Sequence, residues 1–295
     1  MEIPLPLREF IARAWGSNDP ERFPGPQPIS IERRHFPLLL KQPYLVCEKT
    51  DGVRQMLVCL EKRCFLIDRA FHLEEIRACV PSDTIFDCER VDGLLLVYDA
   101  VMVKGESLLK KPLTERLAAA EKVIKSIIRM SKDKVTIRLK KMRPLAEVEQ
   151  VLSATYPYET DGLIFTPINE PIRMGTHETM FKWKPRETIT VDFLVRSTGD
   201  SIDRMGGKFE TVYGMYIADR QRLVYIAHFN TIAGYKDLET FEDKVVECSY
   251  GDKGWNLVKV RQDKTHPNNV RTYERTLVNI KEDIKPQEFR EYIAV

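Results

Sequence analysis

At 295 residues, 43% hydrophobic and 31% charged, the chain can bury a substantial core, as one large domain or two ordinary ones. Its net charge of +2 excludes a global field for polyanions, so any nucleic acid has to be held by local basic clusters. No apolar run approaches the ~20 residues of a membrane span, and Met1-Glu2-Ile3-Pro4-Leu5 lacks the basic-then-apolar order of a secretory signal, so no membrane partner is expected.

Residues 20–28, Pro-Glu-Arg-Phe-Pro-Gly-Pro-Gln-Pro, are too proline-dense for helix or central strand and read as an extended arm. From 44 to 102, apolar runs alternate with turn signals: Tyr44 to Cys47, Gln55 to Leu60, Cys64 to Ile67, Thr84 to Glu89 and Leu94 to Met102. The Asp92-Gly93 pair predicts a hairpin between the last two, and an antiparallel sheet fits the region. A helix opens at Pro112-Leu113-Thr114, with Leu117, Ala120, Ile124, Ile127 and Ile128 on one face. A second helix is expected from Pro144 to Ala154, and strands at Val135 to Leu139, Gly162 to Thr166 and Met180 to Trp183.

After Pro185 the texture changes. Thr188 to Arg196, Phe209 to Ala218, Leu223 to Phe229, Val245 to Tyr250 and Trp255 to Val260 are strand-like runs that predict a small barrel. Residues 273–284 and 287–293 read as helical. The boundary is expected near 188, giving domains 1–188 and 189–295.

Cysteines at 47, 59, 64, 79, 88 and 248 form no Cys-x-x-Cys pair, and histidines at 35, 72, 177, 228 and 266 have no zinc spacing. Buried, reduced thiols of an intracellular protein are the expectation.

Glu48-Lys49-Thr50-Asp51-Gly52-Val53-Arg54 puts a lysine at the end of an apolar run, followed at once by a carboxylate, a glycine and an arginine. That order suits a lysine used as a nucleophile toward phosphate. A free lysine amine is protonated at neutral pH, with a pKa of about 10.4, so a nucleophilic one needs burial or neighbouring cations. Phe181-Lys182-Trp183-Lys184-Pro185 and Arg261-Gln262-Asp263-Lys264 supply candidate cations. If one strand runs through Lys182 and Lys184, both project to one face, with Trp183 on the other.

Six segments occur in order: Lys49-Thr50-Asp51-Gly52, Phe86-Asp87-Cys88-Glu89, Leu96-Val97-Tyr98-Asp99-Ala100, Thr160-Asp161-Gly162-Leu163-Ile164-Phe165, Phe181-Lys182-Trp183-Lys184-Pro185, and Arg261-Gln262-Asp263-Lys264-Thr265-His266-Pro267-Asn268. Together they resemble the covalent nucleotidyltransferases, and more closely the mRNA capping enzymes of the guanylyltransferase type, from about Phe23 to Arg271. Arg90 departs from the family's usual apolar residue.

The resemblance implies an α+β fold: a nucleotidyltransferase domain of antiparallel sheets with helices, then a small OB-fold β-barrel domain. It implies that Lys49 attacks the α-phosphate of GTP, forms a lysine-GMP phosphoramidate, and passes GMP to the 5′-diphosphate end of RNA to make the GpppN cap. Nucleotide contacts carry over to Arg54 (ribose), Glu89 (ribose hydroxyl), Tyr98 (stacking on the purine), Lys182 and Lys184 (α-phosphate), and Arg261 and Lys264 (β- and γ-phosphates), with Asp263 between the last two. Either Lys140 or Lys141 would reach the guanine O6. Asp51 would orient Lys49 or complete the turn. Magnesium or manganese is the implied cofactor, with Asp161 and then Glu159 as candidates for its shell.

No His-Cys-x-x-x-x-x-Arg phosphatase motif is present, and the amino-terminal arm is expected to leave no room for a triphosphatase domain. A separate RNA 5′-triphosphatase is therefore an expected partner, with the RNA polymerase II C-terminal tail as a further candidate. Nuclear residence is expected, or the cytoplasm if the protein is viral. The alternatives are an ATP-dependent polynucleotide ligase and a catalytically inactive RNA-binding relative. Lys-Trp-Lys-Pro and Arg-x-Asp-Lys-x-x-Pro-Asn weigh against the ligase.

Overall fold

The computed structural model describes residues 3–127, 135–203, 209–231, 238–252 and 254–293. The chain forms two units: Met1–Trp183 together with Pro286–Val295, and Lys184–Lys285. The architecture is α+β, with largely antiparallel sheets.

The first unit contains two sheets. One has the strand order Pro26–Ser30, Gly175–Trp183, Thr160–Pro167, Tyr44–Thr50, Arg143–Pro144. The other runs Leu73–Ile76, Arg63–Asp68, Val53–Leu60, Thr84–Val91, Leu94–Val103, Glu106–Ser107, with Thr136–Leu139 added parallel to Leu94–Val103. Asp51-Gly52 hands the chain from the first sheet to the second, so Lys49 ends one sheet while Arg54 begins the other. The proline-dense arm finishes as an edge strand, where proline costs no ladder bond, paired parallel to Gly175–Trp183. The Asp92-Gly93 hairpin forms as expected. Val91 pairs with Leu94, and both turn residues have positive φ, 45° and 79°.

The second sheet is covered on both faces, which explains why Met56 to Cys59 read as a continuous apolar run instead of an alternation. One face packs on the helix Leu113–Ile127 through Ala120, Val123, Ile124 and Ile127; the expected Ile128 lies outside the described residues. The other face packs on an amino-terminal helix, Leu5–Trp15, which was not among the expected elements. Leu7, Phe10, Ile11, Ala14 and Trp15 seat it on Met56, Val58, Ile67 and Ile85. The expected helix from Pro144 to Ala154 is shorter, a 3-10 turn at Leu145–Glu147 leading into Val148–Leu152.

The last helix, Pro286–Ile293, belongs with the first unit and not with the second, where the sequence boundary had put it. Phe289 is completely buried among Phe36, Phe165 and Trp183, at ring distances of 5.4, 5.2 and 5.6 Å. Arg33 forks onto Glu288 at 2.7 and 2.8 Å.

The second unit is an OB-like five-stranded antiparallel sheet ordered Arg222–His228, Phe209–Asp219, Thr190–Asp203, Val245–Gly251, Gly254–Val260. In unit order this is 3-2-1-4-5. The 3-to-5 pairing that would close a barrel is absent among the described residues. The helix Val270–Glu282 is N-capped by Asn269, whose side chain accepts from the Thr272 N–H, and its Tyr273 packs on Phe193.

Candidate active site

Both sheets of the first unit turn polar side chains into a cavity of about 520 Å³. Lys49, Thr50 and Lys182 line it from one sheet, Arg54, Glu89 and Tyr98 from the other, and Lys140 from the segment that follows Thr136–Leu139. A Cβ on Gly52 would meet the Arg90 carbonyl oxygen at 2.5 Å and Glu89 Cγ at 3.0 Å, so the turn after Lys49 requires glycine. Asp51 is exposed and donates its backbone N–H to Glu159 O at 2.9 Å, which places it in the turn.

Lys49 Nζ pairs with Asp161 Oδ1 at 2.7 Å, with both side chains largely buried. The sequence had offered cations as neighbours of the amine; Arg54, Lys140 and Lys182 line the same cavity, and the ion partner of the amine is the Asp161 carboxylate.

Arg54 is less open to a ligand than expected. It donates Nε and Nη2 to the two oxygens of Asp87, at 3.0 and 2.5 Å, and Nη1 to Pro26 O at 2.6 Å. Burial works against its charge, and Asp87 more than offsets this, raising the group above its ordinary range. A Cβ on Gly25 would land on the guanidinium, so glycine lets the arm approach. Tyr98 donates its hydroxyl to Asp87 Oδ1 at 2.5 Å, which fixes the ring in the cavity wall. Asp87, 1% exposed, thus organises two predicted contacts. Nothing in the local sequence Phe86-Asp87-Cys88-Glu89 marks that role.

Burial pushes the Glu89 carboxyl up to about 7, against the pull of Lys140, Lys49 and Arg54. Arg90, the departure noted above, pairs with Glu74 at the partly exposed strand end.

Between the two candidate base-reading lysines the structure separates clearly. Lys140 is 5% exposed and lines the cavity, whereas Lys141 is exposed and does not. Lys182 lines the cavity and Trp183 is buried on the opposite side, as alternation requires. The strand ends at Trp183, however, so the pattern that would carry Lys184 to the Lys182 face stops one residue short. Lys184 begins the second unit. Glu159 is exposed and outside the cavity wall.

In the second unit, Arg261 forks onto Asp263 at 2.9 and 2.7 Å and also reaches Asp192 Oδ1 at 3.1 Å. Its hydrogen bonds with Asp263 are the first cause that raises Arg261 and holds the Asp263 carboxyl well below the usual range. Lys264 also pairs with Asp192. Asn268 exchanges bonds with the Asp192 backbone at 3.0 and 2.8 Å. Asp192, 5% exposed, is the anchor of the whole segment, and no local signal had marked it.

The mRNA capping enzyme catalytic-domain model matches residues 4–186, and the mRNA capping enzyme C-terminal-domain model matches residues 175–289. The chain belongs to the mRNA capping enzyme family. An mRNA-capping enzyme subunit alpha of Schizosaccharomyces pombe is 26% identical over 96% of this chain and 82% of that protein. An mRNA-capping enzyme of Danio rerio is 27% identical over 85% of this chain and 46% of that protein. Against the fish relative, the chain spans about half the length. A mycobacterial DNA ligase D complexed with ATP and MES aligns at TM-score 0.44 and 12% identity, over 82% of this chain and 95% of that one, a likeness from which nothing about substrate follows. As a capping enzyme the chain is a nucleotidyltransferase, and the ligase alternative is set aside.

Proposed function

We propose that this capping enzyme is an mRNA guanylyltransferase whose nucleophile is Lys49. One observation carries the reading: the Lys49 amine sits in the wall of a nucleotide-sized cavity, 2.7 Å from Asp161. Around it are Arg54, Glu89, Tyr98, Lys140 and Lys182, which come from distant parts of the sequence. In the first step the Lys49 nitrogen bonds the α-phosphorus of GTP and the bond to pyrophosphate breaks, with Asp161 the nearest acceptor for the amine proton. In the second, a β-phosphate oxygen of 5′-diphosphate RNA attacks that phosphorus, the P–N bond breaks, and lysine is regenerated with GpppN as product.

Tyr98, its ring fixed by Asp87, offers a face to the purine. Glu89 and Arg54 face the ribose side, and Lys182 the α-phosphate. Lys184, Arg261, Asp263 and Lys264 remain proposed members of the phosphate set. Magnesium or manganese is the proposed cofactor. Among the described residues, no group of three His, Cys, Asp or Glu side chains could enclose a metal. The residues therefore fit a cation held by one carboxylate, Asp161, with phosphate and water completing its shell. Bound there, it would neutralise phosphate charge.

The RNA substrate follows from the family. The fungal relative is named a subunit, which supports a separate triphosphatase partner. Contact with the RNA polymerase II tail and nuclear residence are proposed from the link between capping and transcription.

The test is incubation with labelled GTP or ATP and magnesium, followed by a denaturing gel. An acid-labile, alkali-stable GMP adduct on the wild type, absent from Lys49→Ala, is expected. Labelling by ATP in preference to GTP would point to the ligase, and no labelling to an inactive relative.

A further inference from the structure

At one wall of the cavity, Lys140 is held by a buried network whose other members, Glu48, Thr50 and Tyr158, have no role in the proposed chemistry. Lys140, Glu48 and Thr50 are 5, 3 and 4% exposed. Lys140 Nζ lies 3.2 Å from Glu48 Oε1 and donates to Thr50 Oγ1. The same Glu48 oxygen accepts the Tyr158 hydroxyl at 2.8 Å. Tyr158 in turn stacks on Tyr156, whose hydroxyl donates to Val151 O at 3.1 Å. Glu48 and Thr50 flank Lys49 in the strand Tyr44–Thr50, and both are buried. One strand therefore holds both the nucleophile and the two groups that grip Lys140.

We propose that Glu48 and Tyr158 are positioning residues that fix the Lys140 ammonium as an obligate donor, so that the cavity selects a purine with a 6-oxo group over one with a 6-amino group. This rests on reading the cavity as a nucleoside-triphosphate site. An ammonium has three donors and no acceptor. Thr50 takes one of them, Glu48 stands 3.2 Å away as the counter-charge, and a remaining ammonium proton is open to a ligand acceptor. A ligand carbonyl satisfies that proton, whereas an amino group sets donor against donor in a buried site, which discriminates strongly. Glu48 makes this possible, because a buried ammonium is costly without a counter-charge. With Glu48 neutralised, the ammonium would lose the counter-charge that fixes its place in the wall, and the discrimination would fall. Tyr158 holds Glu48, and burial first, then Glu48, raises its phenol, so it remains a donor to the carboxylate.

The experiment measures equilibrium binding of GTP and of ATP to the full chain carrying Lys49→Ala, so that it does not depend on covalent chemistry. Expected is tighter binding of GTP by this background. Glu48→Gln should lower the GTP-over-ATP ratio by about 10- to 100-fold and Tyr158→Phe by about 3- to 10-fold. Lys140→Met should lower it as far as Glu48→Gln, and the double variant no further, because the residues act as one unit. Tyr158→Phe keeps the stacked ring and tests the idea even if Glu48→Gln fails to fold. An unchanged ratio in Tyr158→Phe and in a folded Glu48→Gln, or a background that binds both nucleotides equally, would overturn the proposal. Absence of a GMP adduct on the wild type would instead overturn the guanylyltransferase reading and leave the binding result to decide this one.

Discussion

The two basic clusters grouped by the sequence as phosphate and base ligands differ in what holds them. In the first unit, Arg54 and Lys140 are gripped by carboxylates that are themselves buried, Asp87 at 1% and Glu48 at 3% exposure. In the second unit, Arg261 is shared between buried Asp192 and the exposed carboxylate of Asp263, with Lys264 on Asp192 as well. Buried pairs set geometry before a ligand arrives. An exposed pair is screened and exchanges partners at little cost. The first unit thus presents a preorganised cavity, and the second a set of cations on an anchored but partly exchangeable leash.

The sharpest way to break the comparison is at Lys49. Lys49→Ala should remove the GMP adduct altogether, since it deletes the proposed nucleophile itself. Asp161→Ala should cut labelling by more than tenfold while leaving the urea midpoint near wild type, because it removes the carboxylate paired with the amine and the nearest acceptor for its proton. Next comes Asp87→Ala. Removing one partner of a buried pair leaves an uncompensated charge, so a loss of about 3–5 kcal/mol in urea unfolding is expected. Tyr98 and Arg54 would lose their anchor together, and adduct formation should fall with stability.

Much of the site was legible because short segments carry it in order. Lys49, Glu89, Tyr98 and Lys182 all line one cavity, and strand alternation alone gave the opposed faces of Lys182 and Trp183. What escaped was set by tertiary contact. Asp87 and Glu48 had carboxylates in view but no visible partner, because Arg54, Tyr98, Lys140 and Tyr158 come to them from other strands. Asp192 meets Arg261 across 69 residues of sequence. Lys140 and Lys141 were inseparable until burial distinguished them. In the fold, the helix Leu5–Trp15 carried a readable i, i+3, i+4, i+7 apolar pattern, overshadowed by the proline-rich arm that follows. The last helix went to the wrong unit because its destination, a pocket of Phe36, Phe165 and Trp183, is assembled from the opposite end of the chain.

Glu89 sharpens the comparison through pH. Its folded carboxyl, pushed up to about 7 by burial, binds a proton that the unfolded chain releases near the ordinary value of about 4.3. Between those values the native state holds more protons, so stability falls as pH rises through this window, by up to about 4 kcal/mol. Glu89→Gln should flatten that slope, read as the urea midpoint at pH 5 against pH 7.5. A wild-type midpoint contribution with the opposite sign would mean that the lysines around Glu89 outweigh its burial.

The smallest effects separate the two anchors of Arg261. Asp192→Ala removes a buried acceptor from both Arg261 and Lys264 and should cost about 1–3 kcal/mol in urea unfolding. Asp263→Asn removes only an exposed partner, so its thermal midpoint should stay with the wild type. If Asp263 serves the proposed phosphate set, its loss should appear in the GTP dependence of labelling while stability is unmoved. Equal destabilisation by the two variants would make Asp263 a structural brace like Asp192, and the contrast between a fixed first-unit cavity and an exchangeable second-unit set would no longer stand.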